Sequence, residues 1–381
     1  MRIGIFGGSF DPVPIEHIEV AKAAVKSLSL DTLFIMPAHT PPHKEGKILS
    51  SNEHRLALCK AAFSDEEKIA VSDYEIQKGG TSYTYLTCRH FKELYPQAEL
   101  FFVVGTDMLR DFPTWRNPED ILQNATLAVC ARNEQKGWSE KERKLFYKRF
   151  QKDFALVKYN GKPVSSTKIR VLAAAGEDLT DFVTKDVNRY IKENRLYEID
   201  GAATALALEK DKRREHSVRV AFLAAKAAAH YKVPEKNAIV AALFHDCAKN
   251  LSMDSPYLNG FTVDENVPAS VVHQYAGAFV AKERFSVTDE DVLNAIRYHT
   301  SGRENMSVLE KIIFLSDLLE EDRTFKGVER LRKLFFKNLD VCMRESLKGI
   351  LKHLKREKAD VYPLTQQAYE YYKQGANYGR D

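Results

Sequence analysis

The sequence predicts two domains, an α/β domain with a parallel sheet followed by an all-helical domain. Its 381 residues exceed what one hydrophobic core usually organises. The first half alternates short β-rich segments with helical patterns, as α/β proteins with parallel sheets do. From about residue 203 the helical periodicity continues with few β-branched segments.

Five short apolar segments of the first half each predict a buried strand. They are Ile3 to Phe6, Thr32 to Met36, Leu100 to Val104, Leu127 to Cys130 and Phe154 to Val157. His17 to Leu28, between the first two, repeats apolar residues at helical spacing. In the second half, the face that His216 opens continues through Val220 and Ala224. Because Asp200-Gly201 could end the preceding helix, we predict domains at residues 1–199 and 200–381.

The composition is that of a soluble globular protein, with 44% hydrophobic and 29% charged residues. A net charge of only +4 argues against nucleic acid or a membrane as a partner. Five scattered cysteines without a Cys-x-x-Cys pair indicate a reducing compartment. No apolar stretch has the length of a spanning helix, so we expect a cytoplasmic protein without signal peptide or anchor. Whether it forms a homo-oligomer stays open.

Histidine and aspartate residues of the second half fall on apolar helical faces. His245-Asp246 directly follows the apolar run 239–244, and Asp317 follows Leu309 and Ile313 at helical spacing. A buried carboxylate costs several kcal/mol unless it is paired or coordinated, and a metal ion is one partner. A core histidine or a helix cap would explain any one of these residues, but the whole ordered set favours a metal site.

The groups occur along the chain in the order His216, His245, Asp246, His273, His299 and Asp317. This order resembles that of the HD-domain phosphohydrolase superfamily. Arg213-x-x-His216 and Leu315-x-Asp317-x-x-Glu320 narrow the resemblance to the bacterial YqeK family. This resemblance implies an all-α HD-domain helical bundle in which the six ordered residues are metal ligands. It also implies an iron-dependent enzyme that hydrolyses diadenosine tetraphosphate symmetrically.

Within this resemblance, His273 and His299 predict a second metal ion, bridged to the first by Asp246. The ligand set accepts iron, with manganese or cobalt as alternatives. In two-metal sites a water that bridges the ions becomes the nucleophile. Since Asp246 would also bridge the two ions, we predict that it is a catalytic residue. We predict Lys249 as a catalytic, phosphate-binding residue and Arg303 as a second phosphate contact. Arg323 is expected to pair with Glu320 or Asp322 instead.

Two segments of the first half suit phosphate binding. The strand Ile3 to Phe6 runs into Gly7-Gly8-Ser9-Phe10 and then a helix, whose first N–H groups favour an anion. Ser165, Ser166, Thr167 and Arg170 place three hydroxyls and a cation in one turn. A helix cap would explain one hydroxyl but not all three with the arginine.

These segments belong to a longer series that is similar to the nicotinate-nucleotide adenylyltransferase family, among nucleotidyltransferases with a His-x-Gly-His motif. The series is Gly7 to Pro12, His17, Pro42-His43-Lys44, His54-Arg55, Ser82-Tyr83-Thr84, Gly105-Thr106-Asp107, Trp115, Arg132 and Ser165 to Arg170. The similarity implies a Rossmann-like fold and Mg²⁺-dependent transfer of AMP from ATP to nicotinate mononucleotide, releasing pyrophosphate.

The same similarity assigns roles to residues of the first half. His17 would be catalytic. The ATP and phosphate contacts would be Gly8, Ser9, Phe10, His17, Ser165, Ser166, Thr167 and Arg170. The pyridine-nucleotide pocket would comprise Lys44, Tyr83, Thr84, Asp107, Trp115 and Arg132. Stacking on the Trp115 indole suits a flat pyridine ring.

The sequence departs from the family pattern at three positions. Pro14 replaces the first histidine of the motif, Glu16 replaces its glycine, and Leu86 stands where an aspartate is usual. Losing one preorganised donor typically costs about 10² to 10³ in rate. We therefore predict a transferase that is weakened but active.

Two alternatives remain at this point. In the first, only the HD half is an enzyme and the first half is a nucleotide-binding or scaffold module. In the second, the HD half hydrolyses another nucleotide, such as a deoxynucleoside triphosphate or a guanosine alarmone. Pro14 is the feature that separates the bifunctional hypothesis from the first alternative.

Overall fold

The computed structural model describes residues 1–42, 50–132, 138–161 and 163–375. The chain forms two compact units. The first comprises Met1–Ile169 with Leu179–Leu196, and the second comprises Arg170–Asp178 with the chain from Tyr197 onward. The predicted α/β half followed by a helical half is confirmed.

A six-stranded parallel sheet is the centre of the first unit. Its strands are β1 (Arg2–Gly8), β2 (Thr32–Pro37), β3 (Ile69–Val71), β4 (Glu99–Gly105), β5 (Thr126–Arg132) and β6 (Ala155–Tyr159). The five predicted strands are confirmed. β3 was not predicted, because three residues are too few to show a strand period.

The strand order β3-β2-β1-β4-β5-β6 determines where a ligand can bind. β1 pairs with both β2 and β4, so the chain progresses in opposite directions on the two sides of β1. In open parallel sheets this reversal leaves a crevice at the carboxyl ends of the central strands. Gly7 and Gly8 end β1 at that crevice.

Helices join the strands of the first unit. They are α1 (Ile15–Leu28), α2 (Asn52–Ala62), α3 (Tyr74–Lys78), α4 (Thr84–Leu94), α5 (Thr106–Asp111), α6 (Pro118–Asn124), α7 (Trp138–Phe150), α8 (Ser166–Ala174) and α9 (Lys185–Glu193). α1 buries Val20, Ala21, Ala24 and Leu28, the stripe that predicted it. It begins two residues earlier than predicted, directly after Pro14, whose ring suits a helix entry.

The second unit consists of helices over its described residues. They are α10 (Ala202–Ala207), α11 (Asp211–Tyr231), α12 (Glu235–Phe244), α13 (Ala269–Phe285), α14 (Glu290–Arg297), α15 (Val308–Leu319), α16 (Val328–Phe335), α17 (Leu339–Glu357) and α18 (Pro363–Gly375), besides the last part of α8. α12 contacts α10, α11, α13, α14 and α15, which explains why it is apolar on nearly every side. Within the described ranges, no helix has the length and hydropathy that crossing a membrane requires.

The boundary between the two units differs in detail from the predicted domain boundary. α9 ends at Glu193, because Arg195 and Tyr197 adopt left-handed backbone conformations that a helix cannot continue through. Segment 170–178 belongs to the second unit, where Val171 and Ala174 are part of the core. The limits 1–199 and 200–381 therefore stay a prediction.

Candidate metal centre and nucleotide cavity

The six predicted metal ligands come together in the second unit. α12 ends at Phe244, so His245 and Asp246 lie at the end of the central helix, both fully buried. Four other positions supply the remaining ligands: His216 in α11, His273 in α13, His299 after α14 and Asp317 in α15. Five of the six form two groups of atoms close enough to hold metal ions, His216–His245–Asp317 and His245–Asp246–His299. His273 is in neither of these groups of described residues, and its Nε2 lies 3.0 Å from the Thr300 hydroxyl.

Asp246 lies between the imidazoles. Its Oδ2 is 3.4 Å from Nε2 of His245. Its Oδ1 is 3.4 Å from Nε2 of His273 and 3.4 Å from Nε2 of His299. The two oxygens therefore face different imidazoles, the arrangement that a carboxylate shared between two cations requires.

His245 and His299 are oriented for coordination. Nδ1 of His245 donates to the Ala242 carbonyl at 2.6 Å, and Nδ1 of His299 donates to the Ile296 carbonyl at 2.7 Å. These bonds select the tautomer whose Nε2 carries a lone pair. Both Nε2 atoms are buried, and neither has a hydrogen-bond partner among the described residues. A divalent cation would satisfy them, so the residues present fit a metal site.

His216 is fixed by two carboxylates. Its Nε2 lies 2.8 Å from Oδ1 of Asp317, and its Nδ1 lies 3.2 Å from Oε1 of buried Glu320. Glu320 also accepts a bond from Nε of Arg219 at 3.0 Å. Glu320 thereby orients a ligand from behind, as the outer partners of metal-bound histidines do.

The histidines of the cluster differ in their protonation equilibria. Burial alone would lower the pKa of His245, but the Asp246 carboxylate outweighs burial and raises that pKa to about 9. Burial and the nearby His299 lower the pKa of His273 to about 3. Burial would raise the pKa of Asp246, but His245 and His299 hold it well below its usual range. Because only a neutral imidazole coordinates, metal binding at His245 must release a proton.

Three half-exposed cations surround the ligand carboxylates. Nη1 of Arg213 lies 2.9 Å from Oδ2 of Asp246, and Nζ of Lys249 lies 3.3 Å from both Asp246 oxygens. Nη2 of Arg323 lies 3.0 Å from Oδ1 of Asp317. Arg323 is also 3.5 Å from Glu320, the partner expected from the sequence. Side-chain exposures of 31%, 32% and 38% leave all three cations open to an incoming anion.

Arg303 has a different environment. Its Nε lies 2.6 Å from Oε1 of Glu310, and its Nη2 lies 3.0 Å from Oε2. Glu310 is buried and completes the capping box of α15 with Ser307. The guanidinium also covers the Tyr298 ring, 4.7 Å from its centre. These contacts stabilise the start of α15, and the predicted phosphate contact of Arg303 stays a prediction.

The first unit holds a cavity of about 750 Å³. It opens beside the carboxyl ends of β1 and β4, the crevice that the strand order predicts. Its lining includes the predicted residues Gly8, Ser9, Phe10, His17, Tyr83, Thr84, Asp107, Trp115 and Ser166. The His17 ring packs edge-on against Phe10 at 5.2 Å and Phe6 at 5.9 Å.

The serine-rich turn is only partly directed at the cavity. Ser166 lines it, and its hydroxyl donates to the Pro12 carbonyl at 2.9 Å. The Ser165 hydroxyl accepts from the Lys168 N–H at 3.2 Å, so it caps α8. Half-buried Thr167 lies in the same turn.

Two predicted cations of the first site are engaged in ion pairs. Arg170, assigned by the structure to the second unit, binds Glu235 with Nε at 2.8 Å and Nη2 at 2.7 Å. Arg132, at the end of β5, binds Glu16. Lys44 lies outside the described residues. The roles predicted for these cations stay predictions.

Comparison with known proteins identifies both halves. The cytidylyltransferase-like family model matches residues 5–172, and the HD domain model matches residues 213–322. A protein of Mycoplasma genitalium called "probable nicotinate-nucleotide adenylyltransferase/Ap4A hydrolase" is 33% identical over 361 residues, 92% of this chain and 97% of that protein. The chain belongs to this nicotinate-nucleotide adenylyltransferase/Ap4A hydrolase family.

Other members and relatives agree with this assignment. A Mycoplasma pneumoniae protein of the same description is 31% identical over 91% of this chain and 98% of its own length. A Clostridium botulinum protein described as a probable nicotinate-nucleotide adenylyltransferase is 38% identical over 51% of this chain and 98% of its own length. The two resemblances inferred from the sequence are therefore confirmed, one for each half of the adenylyltransferase/Ap4A hydrolase architecture.

Several residues near the two sites of this family member escaped the sequence analysis. Glu75, Arg116 and Tyr159 line the cavity. The Arg116 guanidinium covers the Tyr83 ring at 4.6 Å, and burial raises the pKa of Glu75. Arg116 directly follows Trp115, a residue of the adenylyltransferase-like series, and this was the only local indication of a role for Arg116. Glu75 and Tyr159 carried none, because only the fold brings them to the cavity.

Proposed function

We propose that this chain is a bifunctional enzyme. Its first half transfers AMP from ATP to nicotinate mononucleotide, giving deamido-NAD and pyrophosphate. Its second half hydrolyses diadenosine tetraphosphate to ADP. The observation that carries the proposal is the position of Asp246, buried among three histidines at the end of α12. The printed descriptions of the full-length relatives support the combination of activities.

The hydrolase site would hold two divalent metal ions, iron in our proposal and otherwise manganese or cobalt. His216, His245 and Asp317 would hold one ion and His273 and His299 the other, with Asp246 as a ligand of both. Bound ions would supply charge stabilisation at the phosphoryl oxygens and an activated water. The carbonyl bonds to Nδ1 keep His245 and His299 in the coordinating tautomer throughout.

Cations of this chain suit a polyphosphate substrate. Arg213, Lys249 and Arg323 lie at the ligand carboxylates and keep about a third of their side-chain surface exposed. Two guanidinium groups can each bind a phosphate through paired N–H donors, and an ammonium adds a point charge. We propose that these three side chains bind the tetraphosphate chain and orient it for attack on an inner phosphorus.

The transferase site would act mainly by positioning. The pyridine-nucleotide phosphate would attack the α-phosphorus of ATP in line as pyrophosphate leaves, and no covalent enzyme intermediate is required. Gly8 permits close approach of the backbone, His17 and Ser166 face the cavity, and Trp115 offers a ring for stacking. Mg²⁺ would neutralise charge on the departing pyrophosphate.

A second candidate, in which only the hydrolase half is active, draws support from Pro14. Proline stands where the adenylyltransferase motif has a histidine, so a side-chain donor is missing at the start of α1. In that case the cavity binds nucleotide without turning it over.

The buried free cysteines of the chain support our further proposal of a cytoplasmic location.

Product analysis on the full chain tests both activities. Anaerobically purified protein with Fe²⁺, Mn²⁺ or Co²⁺ should convert diadenosine tetraphosphate mainly to ADP, and metal analysis should find two ions per chain. Deoxynucleoside triphosphates and guanosine alarmones serve as competing substrates. A faster reaction with one of them would contradict our substrate assignment. ATP with nicotinate mononucleotide should release pyrophosphate. If no pyrophosphate appears and ATP still binds, the second candidate is correct.

A further inference from the structure

Glu16 accepts four hydrogen bonds at the nucleotide cavity, two of them from one arginine. It lies in the first turn of α1 and lines the cavity. Its Oε1 accepts from Arg132 Nε at 3.0 Å, from Arg132 Nη2 at 2.7 Å and from the Tyr159 hydroxyl at 2.7 Å. Its Oε2 accepts from the Val164 N–H at 3.0 Å. Both carboxylate oxygens are therefore engaged.

The partners of Glu16 come from three separate places in the first unit. Arg132 ends β5, Tyr159 ends β6, and Val164 lies two residues before α8. One side chain of α1 thus connects two strand ends and the segment that leads into Ser166. Since Ser166 in turn bonds to the Pro12 carbonyl, the segment at the start of α8 is held by two bonds to the chain around the start of α1.

The network is strong enough to fix this segment. The Glu16 side chain is only 14% exposed, and three of its four bonds come from side chains of a cation and a phenol. Bonds to an ionised group in such a setting are about twice as strong as neutral ones. Burial would raise the pKa of Glu16, but the bonds from Tyr159 and Arg132 outweigh it and hold that pKa below its ordinary value. The carboxylate therefore stays ionised, with its charge offset by Arg132.

We infer that Glu16 is a positioning residue for ATP, holding Tyr159 and the segment from Val164 to Ser166 where they bound the triphosphate side of the cavity. This inference rests on the transferase function proposed above. It also explains how the chain accommodates an acidic residue in place of the motif glycine. Arg132 neutralises the carboxylate, so Glu16 contributes order at the cavity and not repulsion of phosphate.

Glu16→Gln tests the inference, because it keeps the size of the side chain and removes its charge. We expect the KM for ATP to rise about tenfold, the effect of losing one charged hydrogen bond, with kcat changed less than KM. Tyr159→Phe should raise the same KM, and Glu16→Asp should recover part of the loss. Glu93→Gln, the same change at an exposed site on α4, is the matched control and should leave both constants unchanged.

A double-mutant cycle separates positioning from a general loss of stability. If Glu16 acts through Tyr159, the double variant Glu16→Gln/Tyr159→Phe should have a KM no higher than about that of the more affected single variant. Fully additive effects would overturn the inference. So would an unchanged affinity for ATP in folded Glu16→Gln and Tyr159→Phe, measured calorimetrically beside a native chain that binds ATP. If the native chain itself binds no ATP, the transferase proposal fails, and the role of Glu16 fails with it.

Discussion

Replacing Asp246 with asparagine should remove the hydrolase activity while leaving the fold intact. Asparagine keeps the shape of the side chain but lacks the charge that two cations would share. Arg213 and Lys249 would lose their ion pairs, yet both remain about one-third exposed and can be hydrated. The Nδ1 bonds of His245 and His299 do not involve Asp246 and should persist.

The size of the effect follows from the position of Asp246. Its oxygens face His245 on one side and His273 and His299 on the other, so weakening this ligand affects both groups. A catalytic metal ion supplies several kcal/mol of transition-state stabilisation. Taking about 3 to 4 kcal/mol for the loss of one ion, the rate should fall by about 10² to 10³. Loss of both ions would lower it further.

The assay measures ADP release from diadenosine tetraphosphate together with the metal content of the same sample. Pyrophosphate release by the first half is an internal control, and it should equal that of the native chain. Lys249→Ala is the matched variant: it removes a proposed substrate contact and should raise KM while the metal content stays constant. If Asp246→Asn keeps its full metal content and more than about a tenth of the hydrolase rate, then Asp246 is not a shared ligand and our reasoning is wrong.

Three further results are expected. Pro14→His adds a donor beside the cavity and should raise the rate of pyrophosphate release about 10² to 10³-fold, and an unchanged rate would show that this histidine is not what limits the site. Burial raises the pKa of Glu209 to about 7, so its contribution to stability is complete below pH 4.5 and is lost as the pH rises through 7. In metal-free protein, Glu209→Gln should therefore be about 3 kcal/mol more stable than native at pH 8 and nearly equal at about pH 4, as measured by denaturant unfolding; equal differences at both pH values would contradict the assignment. Arg303→Ala breaks the pair with Glu310 and should lower the Tm of the helical unit while the KM for diadenosine tetraphosphate stays unchanged. A raised KM with normal Tm would instead support the phosphate contact predicted from the sequence.

The sequence by itself determined the two architectures and predicted the candidate metal ligands. Strand and helix periods are local, so short β-rich segments and long helical stripes could be read without tertiary contacts. The candidate ligands could be proposed because histidine and aspartate on apolar faces need partners and because their order resembles that of HD domains. His245-Asp246 at the end of an apolar helix is the plainest case. Strand β3 could not be predicted in this way, because its three residues are too few to show the alternation of a strand.

Only the tertiary structure decided which charged side chains face each site. Glu16 and Arg132 are 116 residues apart, and the sheet brings them together because α1 and β5 both border the crevice. Arg303 pairs with Glu310. Arg213 and Arg323 instead bind the candidate ligand carboxylates, those of Asp246 and Asp317. Long, flexible side chains pair with whatever charge the fold places within reach, and no local pattern records that choice. Backbone periodicity thus fixed the fold, and packing selected the ion pairs that shape its chemistry.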